Sequence, residues 1–143
     1  MEYALSEAIA AAKRGEVPVG AVIVDPAGRL VATSGNRVER LRDPTAHAEI
    51  LVIRKAAGVS ESPRLIGHSL YVTLEPCAMC AQAISLARIK RVYFGASDEK
   101  SGAVENGVKL YNDPSCNHVP EVYGGINASR SEALLRDFFR VRR

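Results

Sequence analysis

The 143 residues include 47% hydrophobic and 24% charged side chains with a formal net charge of +3, a composition that fits one globular domain spanning residues 1–143 with enough apolar mass for a core. A charge so close to balance excludes a polycation that coats nucleic acid by composition alone, and no apolar run approaches the roughly 18 residues of a membrane span. Glu2 and Glu7 stand where an export signal would be basic and then apolar, and three cysteines cannot all pair, so a soluble protein of the reducing cytoplasm is expected, with no membrane partner.

Along the chain, Leu5, Ala8, Ile9 and Ala12 fall at helical spacing between Ala4 and Arg14, and Gly15 supplies a stop. The β-branched run Val19–Val24, the turn signal Asp25-Pro26-Ala27-Gly28 and the extended stretch Leu30–Thr33 predict a hairpin. Gly35–Pro44 is polar, arginine-rich and without period, which predicts a loop, and Thr45 is placed to cap a helix reaching about Ala57. A second loop, Gly58–His68, precedes a buried strand at Ser69–Thr73, a helix from Cys77 to about Ala87 behind Pro76, and a strand at Arg91–Gly95. Residues 69–95 therefore read as a strand, helix, strand unit whose strands pair in parallel. Asp98–Asn117 has no period, Val119–Tyr123 is a weak strand, and Ser131–Arg142 is a helix with Leu134, Leu135, Phe138 and Phe139 as its apolar stripe.

The chemistry concentrates at two places. Cys77 and Cys80, three residues apart, lie about 60° apart around a helix and can share one ion, and the positive end of that helix favours both thiolates. His47, at the start of another helix, completes a three-donor set of the kind that leaves zinc an open position, from which hydroxide is available at neutral pH. Glu49 lies two residues further on, close enough to move protons without being a ligand.

Thr45-Ala46-His47-Ala48-Glu49 and Glu75-Pro76-Cys77-Ala78-Met79-Cys80 match the paired signatures of the cytidine deaminase-like zinc deaminase superfamily. Within it the chain resembles the bacterial tRNA-specific adenosine deaminases of the TadA type, through segments that include Val17–Val22, Gly35-Asn36-Arg37, Asp43-Pro44-Thr45, Leu70–Leu74, Gly95-Ala96 with Asp98, and Phe138-Phe139-Arg140. The resemblance implies a three-layer α/β/α fold with a five-stranded mixed sheet, one zinc ion per chain, and conversion of the wobble adenosine of an arginine tRNA to inosine. It further implies that Asn36 bonds the flipped base, that Asp98 contacts the ribose or backbone beside it, that the last helix helps grip the anticodon stem-loop, and that two copies form a homodimer. Arg136, Arg140, Arg142 and Arg143 cluster at the tail as phosphate contacts would.

Two other readings compete. A free guanine, cytosine or nucleoside deaminase would use the same zinc core. A binding module would instead carry structural zinc, closed by Cys77, Cys80, Cys116 and His118. Without the resemblance, Asn36 reads as a turn residue and Asp98 as a cap or turn residue; the paired signatures, by favouring an open site over the closed one, leave Cys116 as a spare thiol.

Overall fold

The computed structural model describes residues 1–142, in which hydrophobic period and turn chemistry lay out α1 (Glu2–Lys13), β1 (Gly20–Val24), β2 (Leu30–Gly35), α2 (Val38–Leu41), α3 (Ala48–Ser60), β3 (Ser69–Leu74), α4 (Ala78–Leu86), β4 (Arg91–Ala96), β5 (Glu121–Tyr123) and α5 (Ala128–Val141). The hairpin turn is closed by Asp25, whose Oδ1 accepts the N–H groups of Ala27 and Arg29 at 2.9 Å each, while Gly28 takes a φ of 83°.

β1 pairs antiparallel with both β2 and β3, and β3, β4 and β5 run parallel, giving a mixed five-stranded sheet of order β2-β1-β3-β4-β5. The expected parallel pair is present, with Ser69 opposite Arg91 and Val72 opposite Phe94. Strand alternation then separates the two faces. Ala21, Ile23, Leu70, Val72, Val92 and Phe94 pack with Ala48, Val52 and Ala56 of α3 and Ile84 of α4 to form the core. On the other face α1 lies so close to β1 that a Cβ on Gly20 would collide with backbone atoms of Ala4 and Ala8. At Gly95, a Cβ would come within 2.5 Å of Ser131 Oγ on α5. The sheet is thus the middle of three layers, α1 and α5 on one side and α3 and α4 on the other.

Three local expectations change. The stretch expected as a loop, Gly35–Pro44, contains the four-residue helix α2. Thr45 does not cap α3: its hydroxyl donates to Asp43 Oδ1 at 2.7 Å, and His47 takes the cap position instead. The aspartate offers Thr45 a local partner two residues away, which competes with the helix end. Finally, α5 starts at Ala128, and its apolar stripe narrows because Phe138 is 8% exposed whereas Phe139 is 48% exposed.

Candidate active site

β3 runs directly into Glu75-Pro76-Cys77, and Cys77 becomes the N-cap of α4. Pro76 sits just before that cap, where the helix has no use for its missing N–H. His47 is likewise the N-cap of α3, in extended conformation with φ −71° and ψ 152°. The two helix starts meet, and donor atoms of His47, Cys77 and Cys80 all lie within 4.8 Å of one another. His47 Nδ1 is 3.7 Å from Cys77 Sγ and 3.5 Å from Cys80 Sγ. Tetrahedral zinc at its usual bond lengths spaces sulfur and nitrogen ligands roughly 3.6 Å apart, so the cluster fits the metal. Among the described residues this group has three protein donors, one short of zinc's usual four.

The electrostatics suit a cation. The Cys77 thiol is pulled down to about 4, first by the hydrogen bond from Cys80 and then by His47, and the same contact pushes the Cys80 thiol up. Cys77 caps the positive end of α4, a place that favours thiolate. His47 is raised, chiefly by its bond to the Cys77 sulfur.

Glu49 lies in the first turn of α3 and is 3% exposed. Its Oε2 is 3.4 Å from Cys80 Sγ, which donates to it. Burial pushes this carboxyl above the ordinary range, while the His47 charge works against that shift. A carboxyl tuned in this direction, beside a metal site, can both take and return a proton.

The cluster sits in a pocket of about 480 Å³ bordered by His47, Glu49, Cys77, Asn36 and Asp98. Asn36, 9% exposed, accepts the Ala48 N–H at 2.8 Å through Oδ1. That bond fixes which way round the amide sits, leaving its NH2 group as the part free to meet a ligand. Asp98 borders the pocket and also shapes its own turn, its Oδ1 accepting the N–H groups of Lys100 and Ser101 at 3.1 and 3.0 Å. Both the turn reading and the pocket reading of Asp98 therefore describe its position.

Two pocket residues lie outside the sequence expectations. Glu16, 2% exposed, accepts the N–H groups of Glu39 and Arg40 at 3.1 and 2.9 Å and so anchors α2 at the rim. Glu75, also 2% exposed, is buried beneath the loop that carries Asp98. Glu75 was open to notice as an acid inside the motif next to an apolar strand; Glu16 gives no comparable signal.

The closed four-ligand alternative does not form. His118 Nε2 bonds the Ile89 carbonyl oxygen at 2.7 Å, and Cys116 Sγ lies 3.5 Å from Ser85 Oγ, outside the metal-competent group. In the basic tail, Arg136 and Arg140 pair with Asp137 at 4.0 and 3.3 Å, whereas Arg142 stacks 3.6 Å over the Phe138 ring at the pocket edge. Arg143 lies outside the described residues.

Helix-end imidazole and thiolates around one pocket, on a mixed sheet between two helical layers, define a zinc-dependent deaminase. Residues 1–96 match the cytidine and deoxycytidylate deaminase zinc-binding region, and the chain belongs to that family. It stands among the tRNA-specific adenosine deaminases: it is 57% identical to the one of Agrobacterium fabrum, over 100% of this chain and 93% of that protein. Its likeness to the Rickettsia typhi protein of the same name is 44%, covering 100% and 97%. A solved structure from work on A-to-I editing by tRNA:A34 deaminases at the wobble position superposes with a TM-score of 0.93 at 56% identity, covering 94% of this chain and 97% of that one. The guanine deaminase of Bacillus subtilis is more distant, with a TM-score of 0.66 at 32% identity, covering 99% and 90%.

Proposed function

We propose that residues 1–143 act as one catalytic domain that hydrolyses the wobble adenosine of a tRNA anticodon, that of an arginine tRNA, to inosine and ammonia. The observation that carries this reading is the buried Glu49 carboxyl beside the His47, Cys77 and Cys80 cluster in a pocket of about 480 Å³, together with the similarity to tRNA-specific adenosine deaminases.

Zinc held by His47, Cys77 and Cys80 supplies the means to activate water at neutral pH. Glu49 would accept one proton from the attacking water and give it to the adenine ring nitrogen, then accept the second from the hydroxyl on the attacked carbon and give it to the departing amine, which leaves as ammonia. Asn36 presents its NH2 group to an acceptor on the flipped base, and Asp98 meets the ribose or backbone at the mouth. Because the anticodon is single-stranded, turning the base outward costs little unstacking. Arg142, spread over Phe138 at the pocket edge, is placed for a flanking phosphate.

The same reading includes a homodimer in the cytoplasm. Its support is the outward groove between α3 and α4, where Ile50, Ile53 and Pro63 adjoin Leu86, which is 67% exposed. Among the described residues no helix is long and apolar enough to cross a membrane. A sedimentation mass of two chains is expected at micromolar concentration; a mass of one chain removes the dimer from the proposal.

Incubation with an arginine tRNA stem-loop bearing wobble adenosine, read out as inosine, tests the substrate. Persistent adenosine with rapid ammonia release from guanine or cytosine would transfer the site to a free-base deaminase. Glu49→Gln separates catalysis from RNA holding, since it removes turnover while zinc stays bound, whereas a pure binder would lose nothing.

A further inference from the structure

Glu75 lies two residues before Cys77, yet the geometry gives its carboxylate a different task from holding metal. Oε1 accepts the Asp98 N–H at 3.0 Å, the Asn106 side-chain amide at 2.7 Å and the Ser97 hydroxyl at 3.4 Å. Oε2 accepts three successive backbone N–H groups, from Val104, Glu105 and Asn106, at 3.1, 2.9 and 3.0 Å. Successive N–H groups converging on one point form an anion-binding nest, and here the anion is built into the chain. A carboxylate offers about four lone-pair sites, so these donors fill it, and no capacity remains for a proton relay or a contact with substrate.

The loop is wrapped tightly around this group. Gly102 passes so close that an added Cβ would lie 2.5 Å from Glu75 Cδ. The Ala103 N–H bonds the Pro76 carbonyl oxygen at 3.0 Å, and Gly102 bridges to Cys77. The segment thereby brings Asp98 and Ser101 to the pocket wall. The same bonding has an electrostatic effect, because N–H dipoles face the acid's charge beside a pocket that, on the tRNA reading, takes a polyanion.

We propose that Glu75 is a positioning residue: its buried carboxylate is the template on which the 97–106 loop folds, and through that loop it sets the affinity of the pocket mouth for the RNA substrate. This rests on the tRNA reading above. Glu75 acts on binding, and the chemical step at His47, Cys77, Cys80 and Glu49 proceeds without it.

The experiment uses the zinc-loaded full chain, with Glu75→Gln as the strong variant and Asn106→Ala, at a part-exposed site, as a mild one that folds. Hydrogen exchange at the amides of residues 98 and 104–106 reads the loop without substrate; steady-state kinetics on the anticodon stem-loop read function. Expected for Glu75→Gln are faster exchange at those amides, one zinc retained per chain, and KM raised about tenfold with kcat within about twofold. Asn106→Ala shifts the same quantities about threefold. A solely structural residue would lower the melting temperature without separating KM from kcat. Unchanged exchange in both variants overturns the template. Loosened amides with an unchanged KM, or kcat falling in step with zinc, overturn the role in affinity. If the unsubstituted chain leaves the stem-loop unedited, the tRNA reading itself has failed, and that is seen before any variant is compared.

Discussion

The side-chain oxygen of Asn36 accepts the N–H of Ala48 at 2.8 Å, so the amide bordering the pocket is held by the first residue of the helix that carries Glu49. Two substitutions separate this bond from the proposed contact with the base. Asn36→Asp keeps an acceptor for Ala48 but replaces the NH2 group with oxygen; zinc content is expected to hold while turnover falls about a hundredfold, the scale of losing a specific hydrogen bond to substrate. Asn36→Ala also strips the helix start of its acceptor, which adds a loss of about 1 kcal/mol in denaturant melts. Equal turnover in Asn36→Asp and the unsubstituted chain would count against the base contact.

Glu16 reaches across from the turn after α1 to accept the N–H groups of Glu39 and Arg40. With Arg14 Nη2 donating to the Asn36 carbonyl oxygen at 3.0 Å, it clamps residues 36–40 from behind. Replacing one oxygen by NH2 sets donor against donor, so Glu16→Gln should lose about 1–3 kcal/mol of unfolding free energy. Urea melts measure this, and a change within error would show that α2 holds its place unaided.

What the sequence made legible was local or carried by a motif. Helical and strand patterns were visible for α1, β1, β3 and α4, and the histidine, glutamate and cysteine spacings marked the metal cluster. The parallel β3 and β4 pair followed from a strand, helix, strand order. The antiparallel join of β1 to β3 has no such signature, because it links residues 21–24 to 69–72 across two helices. α2 is a four-residue polar segment, too short for a period. The Glu16 and Glu75 anchors bond partners 22 to 31 positions away, so only tertiary structure exposes why either acid is buried.

Metal removal tests the cluster as a clasp between helices. His47 begins α3, and Cys77 and Cys80 begin α4, so bound zinc ties two elements of one layer and stabilises the folded state by mass action. Chelation should lower the melting temperature by several degrees, equivalent to about 2–4 kcal/mol, and stoichiometric zinc should restore it. Cys80→Ser should melt low with or without added zinc. A melting temperature indifferent to chelator, in protein shown by metal analysis to have been stripped, would contradict the clasp.

Acid should unmask Glu75. Burial alone pushes its carboxyl up, but the Asp98 N–H, the Asn106 amide and the neighbouring backbone N–H groups outweigh it, and the carboxyl is held below the ordinary range. A carboxyl depressed in the folded state contributes stability that is full above its unfolded value and is lost as pH falls through its folded value. The metal ligands also respond to acid, so the raw acid melt of one protein mixes several events. The difference between the unsubstituted chain and Glu75→Gln removes what they share, including loss of zinc. That difference in unfolding free energy should be largest near neutrality and shrink steadily below the ordinary carboxylate range. A gap that stays constant until both proteins unfold would mean that the nest does not depend on the charge it encloses.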